Sequence, residues 1–95
     1  MNERMVAEGR SVPRLAAHVR LQFDKARQVW TIQAPERTFF LDEMAHAILS
    51  RCDGTQDLSK VIDMLSTVYE SPRDAVEPDV LELVQDLVDK GILTL

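Results

Sequence analysis

One cysteine, two histidines, three glycines and four prolines are all that this 95-residue chain holds of the residues that most often build chemistry or turns. Each scarcity excludes something. A lone Cys52 rules out an internal disulfide and a multi-cysteine metal site. Gly9, Gly54 and Gly91 stand too far apart to form a glycine-rich phosphate loop. His18 and His46 have no Glu or Cys at ligand spacing, so they are expected at the surface and no metal or other cofactor is expected. No serine sits in a nucleophile elbow. No apolar run reaches the roughly 20 residues of a membrane span, and residues 1–12 lack the apolar core of a signal peptide. The expectation is a cytoplasmic domain without a membrane partner.

The composition is that of a globular domain, 45% hydrophobic and 28% charged. The net charge of -5 is unevenly spread. Residues 1–40 carry seven basic and four acidic side chains; residues 41–95 carry four basic and twelve acidic ones. That asymmetry is a candidate determinant of a homodimer or of partner docking.

Hydrophobic period divides the chain at Asp42. Residues 1–12 have no period and are expected to form a flexible N-terminal arm, with 13–95 as one domain. Residues 18–24 and 28–34 alternate, which predicts two strands of a hairpin. Pro35 interrupts the ladder, and residues 36–41 read as a short third strand at a sheet edge. Phe39 and Leu41 share one face of it; Thr38 and Phe40 share the other.

Three helices are then predicted, over residues 43–52, 58–70 and 78–90. Asp42 and Asp57 read as N-caps, Gly54 and Gly91 as stop signals, and Pro78 as a first-turn residue. Residues 71–77 read as a charged loop. The fold class expected is α+β: a three-stranded antiparallel sheet followed by a three-helix bundle. The apolar residues of the third helix fan over about 160° at about 100° per residue, where one core needs of order 100°. The surplus covers two neighbours or lines a groove, and periodicity alone leaves both open.

Absence of chemistry favours a binding module over an enzyme. Cys52 lies on the apolar stripe of its helix near the C-terminal end, where a thiolate is disfavoured. No carboxylate pair has the apolar and aromatic surroundings that tune acid–base groups. The helix-turn-helix shape raises a nucleic-acid reading. However, the second helix carries only Lys60, and the third only Lys90 among Asp79, Glu82, Asp86 and Asp89, which is unsuited to phosphate. An open sheet edge instead suits an extended peptide added as a strand.

Pro35-Glu36-Arg37, Leu41-Asp42, Ala45, Ile48-Leu49, Cys52-Asp53-Gly54, Ile62, Leu65, Tyr69, Asp79-Val80, Leu83, Leu87 and Lys90-Gly91 together resemble the PqqD family of pyrroloquinoline quinone biosynthesis. Each residue is a weak signal alone; their order and spacing are specific. The likeness covers nearly the whole chain after Pro13. It implies a winged-helix-like peptide-recognition domain without catalytic residues. Its partners would be the precursor peptide PqqA and the radical SAM enzyme PqqE, to which the peptide is presented. It further implies peptide contacts along Arg37, Thr38, Phe39, Phe40 and Leu41, and along Val84, Leu87 and Val88 of the third helix.

Overall fold

The computed structural model describes residues 5–95. The elements run β1 (Arg14–Leu15), β2 (Arg20–Asp24), β3 (Val29–Gln33), β4 (Thr38–Phe40), α1 (Glu43–Leu49), α2 (Leu58–Val68), α3 (Arg73–Asp89) and β5 (Leu93–Thr94). β2, β3 and β4 form an antiparallel sheet in that order, and β1 pairs with β5 in a second, two-stranded one. The class is α+β, as expected: one three-stranded sheet and three helices among the described residues.

The hairpin β2–β3 turns without glycine. Gln28 takes the left-handed conformation, φ 59°, and donates its N–H to Asp24 O at 2.7 Å. The Asp24 carboxylate accepts from the Arg27 N–H, and chiefly for that reason its pKa is held below the usual value. Register pairs Phe23 with Trp30 and Leu21 with Ile32, which puts these residues on the face toward the helices. Ile32 is fully buried there.

Asp42 caps α1 through Ala45 N–H, and Asp57 caps α2 through Lys60 N–H, both as read from sequence. Helix ends differ from the sequence reading in two places. α1 stops at Leu49 and continues as single turns, Arg51 N–H to Ile48 O and Cys52 N–H to Leu49 O. Gly54 is therefore not its terminating residue; it donates to Pro13 O from φ 83°. The second difference is larger. Residues 71–77 are not a loop, because α3 begins at Arg73 and carries Pro78 inside it. Arg73 holds that first turn through ion pairs to Asp63 of α2 and to Glu77, while Val76 is buried. These contacts outweigh a proline that sequence reasoning places at a helix start.

Of the expected N-terminal arm, residues 1–4 lie outside the described residues. The remainder is laid along the helices rather than away from them. Ala7 N–H donates to Gln85 Oε1 of α3 at 2.8 Å, and Gln85 Nε2 donates back to Met5 O at 2.9 Å. Leu58 and Ser59 N–H donate to Ser11 O and Gly9 O, both at 2.8 Å. The first three amides of α2, orphaned in any isolated helix, thus all have acceptors. One core cluster joins Val19 and Ile32 of the sheet side to Ile48, Leu58, Ile62, Val80 and Val84 of the helices.

Candidate functional site

β4 is the outer strand of its sheet, so one of its edges is unpaired among the described residues. Its inner edge is satisfied by β3: Arg37 and Ala34 exchange backbone hydrogen bonds, and Leu41 N–H donates to Trp30 O. In an antiparallel ladder, bonded and non-bonded pairs alternate. The Ile32–Phe39 pair therefore bonds inward, whereas Thr38 and Phe40 turn their N–H and C=O groups outward. Two donors and two acceptors stand ready for another strand.

Side chains along β4 divide by face, as the alternation predicts. Phe39 is half-buried against the core, with Leu41. Phe40 is 58% exposed on the opposite face, under the Arg27 guanidinium at 5.4 Å. Behind it a polar chain runs Thr38 Oγ1 to Gln33 Oε1, Gln33 Nε2 to Thr31 Oγ1, and Thr31 Oγ1 to Gln22 O. That chain satisfies Thr31, which is buried in the sheet.

α3 meets β4 at its C-terminal end. Lys90 Nζ lies 5.9 Å from the Phe39 ring centroid, and Arg37 Cζ lies 5.2 Å from the same centroid. The three helix residues taken from the sequence are not equivalent. Val84 is wholly buried in the core, and Leu87 nearly so. Val88 is half-buried; about 100° per residue places it on the Gln85 side of α3, away from Lys90. Leu83, half-buried, falls on the Lys90 side by the same count. Sequence reasoning counted Lys90 as the lone cation of the third helix and among the family-like residues, and left both Lys90 and Leu83 out of the site. Their placement on one flank needed the helix phase relative to β4.

Two clefts lie by opposite ends of α3. One, of about 380 Å³, opens between residues 16–19, the 34–37 turn and residues 90–92; Glu36, Arg37, Lys90 and His18 are among its lining. The other, of about 260 Å³, lies between Met44, Tyr69 and the first half of α3. Met44 reaches it from α1 and was likewise absent from the sequence-read site.

The remaining candidates are structural. Cys52 is buried and donates to Ile48 O; burial first, then Asp53, pushes its thiol pKa up to about 12. It is a packing residue, not a nucleophile. His18 is exposed, but His46 departs from the expectation of exposure: it is half-buried and stacks on Trp30, centroids 4.5 Å apart and planes at 10°. Among the described residues, no three His, Cys, Asp or Glu side chains gather as a metal site would need. No helix of the described residues is long and apolar enough to cross a membrane.

Comparison with known proteins converges on one family. The profile described as "Coenzyme PQQ synthesis protein D (PqqD)" matches residues 29–93. A protein of Rhodopseudomonas palustris strain TIE-1 named "PqqA binding protein" is 48% identical over 84 residues, 88% of this chain and 82% of that one. A protein of the same name from Xanthomonas campestris pv. campestris strain B100 is 42% identical over 85 residues, 90% of this chain and 92% of that one. The solution structure of the PqqD truncation of Methylobacterium extorquens PqqCD is described as a functional, stand-alone recognition element for ribosomally synthesised and post-translationally modified peptides. It superposes with a TM-score of 0.81 at 37% identity, over 95% of this chain and 96% of that one. The crystal structure of PqqD from Xanthomonas campestris gives 0.59 at 41% identity, over 90% and 94%.

Proposed function

The chain belongs to the PqqD family, and from that premise we propose that it is a non-catalytic peptide chaperone of the cytoplasm. It binds the PqqA precursor and presents it to the radical SAM enzyme PqqE. The observation that carries this reading is the free edge of β4, with Thr38 and Phe40 backbone groups turned outward and Lys90, at the end of α3, 5.9 Å from the Phe39 ring.

The peptide adds as a strand along Arg37, Thr38, Phe39, Phe40 and Leu41, in a winged-helix-like frame. Leu83, Leu87 and Lys90 form the α3 flank; Val84 supports it from within, and Val88 lies to the far side. Main-chain hydrogen bonds supply affinity, and ordering the peptide costs free energy that the apolar side chains offset. Capture then raises the peptide's concentration at the enzyme. The acidic surface of α3 disfavours a nucleic acid in the same place.

Isotope-labelled protein titrated with PqqA should show amide shifts concentrated at residues 37–41 and on the Lys90 side of α3; no shifts, or shifts scattered over the fold, would sink the reading. Thr38→Pro sharpens the test. It removes an outward N–H and leaves the β3–β4 ladder intact, so binding should fall at least ten-fold while the fold persists. Adding PqqE to the complex tests presentation, and sedimentation of the free chain decides whether it forms the homodimer.

A further inference from the structure

The protein is acidic overall, and the outward flank of α3 is strongly so: Asp79, Glu82, Asp86 and Asp89 border an open depression of about 530 Å³. Against that background the 380 Å³ cleft at the end of β4 stands out. Two full cations and a histidine line it against one acid, Glu36. Both cations stand by the Phe39 ring, at 5.2 Å for Arg37 and 5.9 Å for Lys90.

Their present partners differ. Lys90 is paired with Asp86 at 2.7 Å, one helical turn away, and both side chains are substantially exposed, 40% and 53%. Such a pair is screened by water and yields readily to a competitor. Arg37 is exposed and has no carboxylate partner among the described residues. Arg27, the other cation by an edge ring, is already engaged by Asp24 at 3.1 Å. One guanidinium beside a half-buried ring is thus left for an incoming anion.

We propose that this cleft is a subsite for one acidic side chain of the peptide that lies along β4. Arg37 is its direct partner and Lys90 the second cation. The proposal rests on the peptide-binding reading and adds to it a determinant of register. Strand side chains alternate, so a slip of one residue turns the acid to the outer face. There it would meet Phe40 and an Arg27 already neutralised. A displacement along the groove would carry it toward Leu41 and Met44, or against the carboxylates of α3.

The test is a double-mutant cycle with the full chain and synthetic PqqA, read by fluorescence anisotropy at low salt. Each Asp and Glu of the peptide is replaced in turn by its amide, and a further peptide carries an amidated C-terminus. Arg37→Gln should weaken binding of unaltered PqqA by about five-fold, and Lys90→Gln by less. A single acid-to-amide peptide should bind the unaltered protein correspondingly more weakly, yet against Arg37→Gln lose only the smaller share that Lys90 supplies. Undiminished binding by Arg37→Gln, or independent effects of every peptide substitution in both backgrounds, would overturn the proposal. So would coupling to the amidated C-terminus alone, since that assigns the subsite to a terminal carboxylate. Failure of the unaltered protein to bind PqqA at all would instead remove the peptide reading, and the subsite with it.

Discussion

At the scale of single residues, two helix ends show how much a left-handed backbone costs. α2 and α3 close with the same hydrogen bonds. Ser71 N–H reaches Ser66 O and Glu70 N–H reaches Thr67 O; Ile92 N–H reaches Leu87 O and Gly91 N–H reaches Val88 O. The residue after the cap is left-handed in both, Glu70 at φ 50° and Gly91 at φ 78°. A side chain there costs about 1–2 kcal/mol, which glycine avoids. Glu70→Gly should therefore raise unfolding stability by about 1 kcal/mol. Gly91→Ala should lower it by a similar amount, although a Cβ at Gly91 would meet nothing within 4 Å. Urea titration measures both; equal stability of either variant and the parent would refute the account. Cys52 gives a pH dependence. Its thiol is raised from 9.0 to about 12 in the folded chain, so the unfolded chain loses its proton first. The thiol's contribution is complete below pH 9 and is lost as pH rises through 12. A thiol reagent at pH 8 should leave the native protein unmodified and label it in urea; rapid native labelling would contradict the burial.

At the scale of elements, α3 is the instructive case. Its interior Pro78 has no N–H to give to Asp74 O and crowds that carbonyl. The helix persists because Arg73 ties its first turn to Asp63 and Glu77, and because Val76 and Val80 are buried on either side of the proline. Pro78 is exposed, so replacing it removes no core contact. Pro78→Ala should stabilise the protein by about 2 kcal/mol, the helix penalty less the entropy that proline removes from the unfolded chain. A lower unfolding midpoint for Pro78→Ala would mean that the proline is needed where it stands. β4 shows the converse, an element too short to be stable alone. Its three residues are held by β3 on one side and leave the other side unpaired.

At the scale of the molecule, the segment before β1 joins elements far apart in sequence. Gln85 grips it through Ala7 N–H and Met5 O, and its carbonyls at Gly9 and Ser11 take the first two amides of α2. Gln85→Ala should cost about 1 kcal/mol. It should also speed hydrogen exchange at Ala7 by an order of magnitude or more, with smaller gains at Leu58 and Ser59. Unchanged protection at Ala7 would show that Gln85 does not hold the segment. The grip lies on the flank of α3 away from Lys90, so peptide binding should be unaffected.

Much of this was legible in the amino-acid order. Alternation from Leu21 to Ile32, the caps Asp42 and Asp57, and the stop at Gly91 are local effects, set by residues within a few positions of each other, and all stand in the structure. The strand of the candidate site was legible for the same reason: Pro35 and alternating residues mark a short edge. What the order of residues left undecided depends on partners distant in the chain. The start of α3 follows from Arg73 meeting Asp63, and the stacking of His46 from the approach of Trp30. The basic cleft exists because β4 and the end of α3, some fifty residues apart, bring Arg37 and Lys90 to one ring. Periodicity places a residue on a face of its own helix. Only packing decides what that face meets, which is why Val84 belongs to the core and Lys90 to the edge.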